Sequence, residues 1–128
     1  MKSVLVIEDS DIIREEICEI LTEIGFHALM AEDGDSGIEV LKKHEVQLVI
    51  TDIFMPGTDG FGVCRWIRQE KKELPIIAIS GGGSSLQLDA NSTQKMLETS
   101  ELFGANVLIE KPFTINQLKS SVLQIISP

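Results

Sequence analysis

Five residues carry most of the chemistry open to this chain: Glu8, Asp9, Asp52, Ser80 and Lys111. Each stands at or just after the end of a short apolar run, "SVLVIE" (3–8), "VQLVIT" (46–51), "PIIAIS" (75–80) or "NVLIE" (106–110). Taken singly they have ordinary explanations. Asp9 or Ser10 caps a helix, Asp52 caps the turn at Pro56-Gly57, Ser80 belongs to a glycine loop, and Lys111 is solvated. Taken together these explanations weaken, because three acids in one strand-end crevice repel one another unless a cation sits among them. A hard divalent ion such as Mg²⁺ takes one or two protein carboxylates, keeps several waters and leaves room for a phosphate; Asp9 and Asp52 with a backbone carbonyl suit it. A carboxylate is also a nucleophile toward phosphorus. Lysine and serine are then the right donors for the oxygens of a phosphoryl group in transfer.

The elements that must hold these residues are legible in the hydrophobic pattern. With "FHALMA" (26–31), the β-branched runs number five, and amphipathic stretches alternate with them. Ile13, Ile17, Ile20, Leu21 and Ile24 form one stripe at helical spacing, and Gly25 supplies the stop. Ile12 lies about 120° from that stripe and is left facing solvent on the first helical turn. The last helix opens on Thr114 and Gln117, a capping box, and carries Leu118, Val122, Ile125 and Ile126 on one face. Further helices fit residues 36–43, 60–71 and 92–103. Regular βα alternation with near-continuous apolar strands means an α/β fold with a parallel sheet covered on both faces. Such a sheet places its functional groups at the carboxyl ends of the strands.

Bulk properties narrow the classes. A chain of 128 residues with 43% hydrophobic content buries one core, so residues 1–128 read as a single domain. The 11 basic and 20 acidic residues give a net charge of −9, which disfavours direct nucleic-acid binding. The four apolar residues near the N-terminus are far short of a signal core or a membrane span, so a cytoplasmic protein without membrane insertion is expected. Cys18 and Cys64 have no CxxC spacing and read as two buried thiols.

The set "IEDS", "TDIFMPGTDG", "AIS" and "EKPF", in this order over essentially the whole chain, resembles the receiver domain of two-component response regulators. The resemblance implies a flavodoxin-like, doubly wound five-stranded parallel sheet of order 2-1-3-4-5 with five helices. It also implies that Asp52 is the phosphoacceptor. Glu8, Asp9, Asp52 and the Phe54 backbone carbonyl would bind Mg²⁺, or another divalent cation such as Mn²⁺, directly or through water. Ser80 and Lys111 would contact the phosphoryl group, and the Lys111-Pro112 bond would be cis. The implied partners are a sensor histidine kinase or histidine phosphotransfer protein and a downstream protein target. The chain would be a phosphorelay switch that catalyses its own phosphorylation, not an enzyme acting on other substrates.

Three positions depart from the family pattern. Leu108 stands where receivers usually carry the Tyr or Phe of an aromatic switch, and it has no ring or hydroxyl to report a change. "GGGSSLQLDANS" (81–92) lengthens the segment after Ser80 and reads as a surface loop; it lacks the spacing and lysine of a P-loop. Phe54 is an apolar plug beside the crevice. Competing functions fit less well. A flavin carrier needs a phosphate cradle where this chain has Glu8-Asp9-Ser10-Asp11, and an aspartyl-phosphate phosphatase needs a second Asp where Phe54 stands. A pseudo-receiver acting only as a protein-interaction module is the alternative from another class.

Overall fold

The computed structural model describes residues 1–53, 59–80 and 104–128. Along the chain run β1 (Ser3–Ile7), α1 (Asp11–Glu23), β2 (His27–Ala31), α2 (Gly34–Lys43), β3 (Leu48–Asp52), α3 (Gly60–Glu70), β4 (Ile76–Ser80), β5 (Val107–Glu110) and α4 (Ile115–Ile125). The five strands form one parallel sheet in the order β2-β1-β3-β4-β5. This is the flavodoxin-like order that the resemblance to receiver domains implies. Four helices lie among the described residues; the loop at 81–92, the helix expected over 92–103, and Phe54 lie outside them.

Alternation along the strands divides the core into two layers. Leu5, Ile7, Val49, Ile76 and Ala78 face Leu41 of α2 and Val63, Cys64 and Ile67 of α3. Val4, Val6, Leu48, Ile50, Ile77 and Ile79 face Ile17, Ile20 and Leu21 of α1 and Leu118 and Val122 of α4. Both faces of β1, β3 and β4 are therefore buried, which is why these strands read as unbroken apolar runs. β2, at the sheet edge, is more exposed and has Met30 on the surface.

Helix starts follow local side-chain chemistry. Ser10 accepts from the Ile13 N–H, Asp33 from Ser36, and Asp59 from Gly62. The expected capping box of Thr114 and Gln117 is formed at α4, and Gly25 ends α1 with φ of 98°, a conformation open to glycine. Boundaries move by small amounts. Asp33 lets α2 begin at Gly34 instead of residue 36. β3 pairs from Leu48, two residues later than its apolar pattern suggests, and so includes Asp52 as its last residue. The expectation of two buried thiols is half right: Cys64 is buried, but Cys18 is only partly so, at the margin of the apolar stripe of α1. No helix among the described residues is long and apolar enough to cross a membrane.

Candidate metal and phosphoryl site

The carboxyl ends of β1, β3, β4 and β5 converge because their registers align. Ile7 pairs with Thr51, Asp52 with Ile79, and Ser80 with Glu110. Asp52 and Ser80 are the last residues of β3 and β4, and Glu8 and Lys111 follow directly on β1 and β5. The Glu8 N–H still donates to the Ala31 carbonyl at 3.1 Å, and the Lys111 N–H to the Ser80 carbonyl at 2.9 Å. These two backbone bonds fix where Glu8 and Lys111 begin. The Lys111-Pro112 bond is cis.

Lys111 Nζ donates to Glu8 Oε1 at 2.6 Å and to Asp52 Oδ2 at 2.8 Å. Glu8, Asp52 and Ser80 are buried, with 2%, 4% and 4% exposure, whereas Asp9 is exposed. Oxygen atoms from Glu8, Asp9 and Asp52 lie within 4.8 Å of one another. Four of the five residues singled out from sequence, Glu8, Asp9, Asp52 and Lys111, are thus brought together, and Ser80 ends the neighbouring strand. Leu108 is half-buried against the layer formed with α2 and α3.

Two buried carboxyl groups share one ammonium, and the imbalance falls on Glu8. Burial, reinforced by the adjacent Asp52 carboxylate and only partly offset by Lys111, raises its pKa from 4.5 to about 8. Burial alone lowers the pKa of Lys111, but Asp52 and Glu8 outweigh it and the net shift is upward. Glu8 Oε2 is buried without a hydrogen-bond partner among the described residues. An orphaned oxygen, an excess of negative charge and three clustered carboxyl groups suit a hard divalent cation.

A pH dependence follows. Between the unfolded value of 4.5 and the folded value of about 8, the folded chain retains a proton that the unfolded chain has released. Stability therefore falls as pH rises through that window. In EDTA, Glu8→Gln, which keeps the shape without the charge, is expected to melt about 5 °C above wild type at pH 8.5 and to converge with it near pH 4.5. Parallel melting curves across the range would show that burial does not tune this carboxyl.

Two contributors were not singled out from sequence. Gly60, the first residue of α3, lies against the end of β3: a Cβ there would stand 2.4 Å from the Asp52 carbonyl oxygen. Arg14 of α1 reaches back to the Glu8 carbonyl.

The family model for the response regulator receiver domain matches residues 4–123. The chain belongs to that family. It is 31% identical to the probable transcriptional regulator ycf27 of Porphyridium aerugineum over 125 residues, which are 98% of this chain and 48% of that protein. It is 29% identical to the autoinducer 1 sensor kinase/phosphatase LuxN of Vibrio harveyi over 117 residues, 91% of this chain and 13% of that one. The chain thus spans less than half the length of these curated relatives. Among solved structures, the response regulator protein TrrA of Thermotoga maritima, in complex with Mg²⁺-BeF, superposes with a TM-score of 0.82 at 32% identity, covering 98% of this chain and 100% of that one.

Proposed function

We propose that this receiver domain takes a phosphoryl group from a phosphohistidine onto Asp52 and thereby changes the surface it offers to a protein target. The observation that carries this reading is the meeting of Glu8, Asp9 and Asp52 within 4.8 Å, with Lys111 bonded to two of them. Glu8, Asp9 and Asp52 would hold Mg²⁺ or Mn²⁺; the Phe54 carbonyl, a further ligand by resemblance, lies outside the described residues. A bound cation supplies the positive charge that lets an anionic donor approach an acidic crevice. The complex of TrrA with Mg²⁺-BeF supports the same assignment here.

Asp52 is held at the end of a buried strand, so its carboxylate is aimed and cannot swing away. One of its oxygens forms the bond to phosphorus as the bond from phosphorus to the imidazole nitrogen breaks, and the imidazole leaves with the electron pair and takes a proton. Lys111 Nζ and the Ser80 hydroxyl donate to the phosphoryl oxygens as they pass through the planar stage. The chain accelerates its own modification and acts on no other substrate. Sensor kinases are among its relatives, and a kinase or histidine phosphotransfer protein in the cytoplasm is the proposed donor.

Incubation with acetyl phosphate, followed by intact mass, tests the reading: one phosphoryl group is expected with Mg²⁺ and none in EDTA. No uptake from either a small donor or a phosphohistidine would favour a phosphorylation-independent interaction module. Ile12, 80% exposed beside the crevice, is suited to receive the donor protein. Ile12→Ser is expected to leave stability within about 0.5 kcal/mol of wild type and uptake from acetyl phosphate unchanged. Transfer from a phosphohistidine-bearing kinase should slow about tenfold, the size of one apolar anchor. Equal transfer rates would place the dock elsewhere.

A further inference from the structure

The Glu8–Asp9 peptide group lies between two of the three clustered carboxyl residues, so its orientation sets how their side chains stand relative to each other. It is past the end of β1. Its carbonyl oxygen accepts from Arg14 Nη1 at 2.8 Å. The other arm of the same guanidinium, Nη2, is bonded to Asp11. The Arg14 side chain is only 14% exposed although it lies in the second turn of a surface helix, and its backbone N–H is tied to the Ser10 carbonyl at 2.9 Å. A surface arginine ordinarily leaves its head in water; this one is turned inward, oriented by Asp11 and spent on a backbone oxygen.

We propose that Arg14 is a positioning residue for the divalent-cation site, locking the Glu8–Asp9 peptide so that both carboxyl groups face the same point. The inference rests on the cation-binding reading above. Electrostatics alone would give the opposite sign, since a guanidinium near a cation site repels the cation and its removal would tighten binding. Outer groups that orient metal ligands typically contribute a factor of ten or more to affinity. Geometry and charge therefore predict opposite outcomes.

The test is Mg²⁺ binding by calorimetry at a temperature well below every variant's melting point, with no phosphodonor present. Arg14→Ala is expected to weaken binding about tenfold. Arg14→Gln, whose amide N–H reaches toward the same carbonyl without the charge, is expected to recover part of that loss. A purely structural role would lower the melting temperature of Arg14→Ala and leave Mg²⁺ affinity unchanged, which would overturn the proposal, as would tighter binding. Asp9→Asn tests the cation site independently of the positioning role of Arg14. If wild type binds and Asp9→Asn does not, the cation site stands and Arg14→Ala decides the positioning role alone. If wild type does not bind Mg²⁺, the cation reading and the role of Arg14 fall together.

Discussion

Lys111→Met should bind Mg²⁺ more tightly than wild type and yet take up phosphoryl groups at least a hundredfold more slowly. The opposite signs come from one atom. Nζ lies 2.6 Å from Glu8 and 2.8 Å from Asp52, so in the resting protein it is the counter-ion with which an added cation must compete. Removing it takes away a positive charge beside two buried carboxyl groups, which favours cation binding by about tenfold for a charge lost at this range. The same removal takes away a donor to the phosphoryl oxygens, and the loss of one such preorganised donor typically costs about 10² to 10³ in rate. Without Mg²⁺ the variant should also melt lower, because breaking a buried ion pair from one side strands the other. Added Mg²⁺ should restore most of that loss. Calorimetry and uptake kinetics on one preparation check both signs; weaker Mg²⁺ binding in Lys111→Met would mean that the lysine organises the crevice and does not compete for it.

Gly60→Ala should lower the melting temperature by about 10 °C and slow phosphoryl uptake with it. A Cβ at this position would stand 2.4 Å from the Asp52 carbonyl oxygen and 2.5 Å from Ile53 Cα, both backbone atoms that no side-chain rotation can clear. The end of β3 is held from both sides: the Ile53 N–H donates to Ile79, and the Gly60 N–H to the Ile53 carbonyl at 2.9 Å. Either α3 shifts outward or the end of β3 moves, and overpacking of this kind costs roughly 1 to 3 kcal/mol. Because Asp52 is the last residue of β3, the displacement reaches its carboxylate. Thermal melting alongside acetyl phosphate kinetics is the check. A variant with wild-type melting and wild-type uptake would show that α3 can move outward at no cost.

The sheet and most of the site were legible in the sequence because both follow from patterns confined to single strands. Strands buried on both faces must be apolar throughout, so a polar residue at their end, such as Asp52 or Ser80, is conspicuous. Ile12 was legible for the complementary reason, since its angle on the helix leaves it no core to enter. Arg14 was not. An arginine in the second turn of an amphipathic helix ordinarily points to solvent, and its partner here is a backbone carbonyl, which no residue type marks. Gly60 was hidden differently: glycine after Asp59 fits a helix start, while the reason for it is the approach of β3. The two-residue offset of β3 has the same origin, because pairing with β1 and β4 decides where a strand begins and local hydrophobicity does not.

Asp52 is the residue proposed to carry the phosphoryl group. Borohydride reduces an aspartyl phosphate to homoserine, so acetyl phosphate and Mg²⁺ followed by borohydride and peptide mass mapping locate the group directly. Homoserine is expected at position 52 in wild type, none in EDTA, and none anywhere in Asp52→Asn. Homoserine at Asp9 or at another acid in the wild-type protein, with position 52 unmodified, would contradict it.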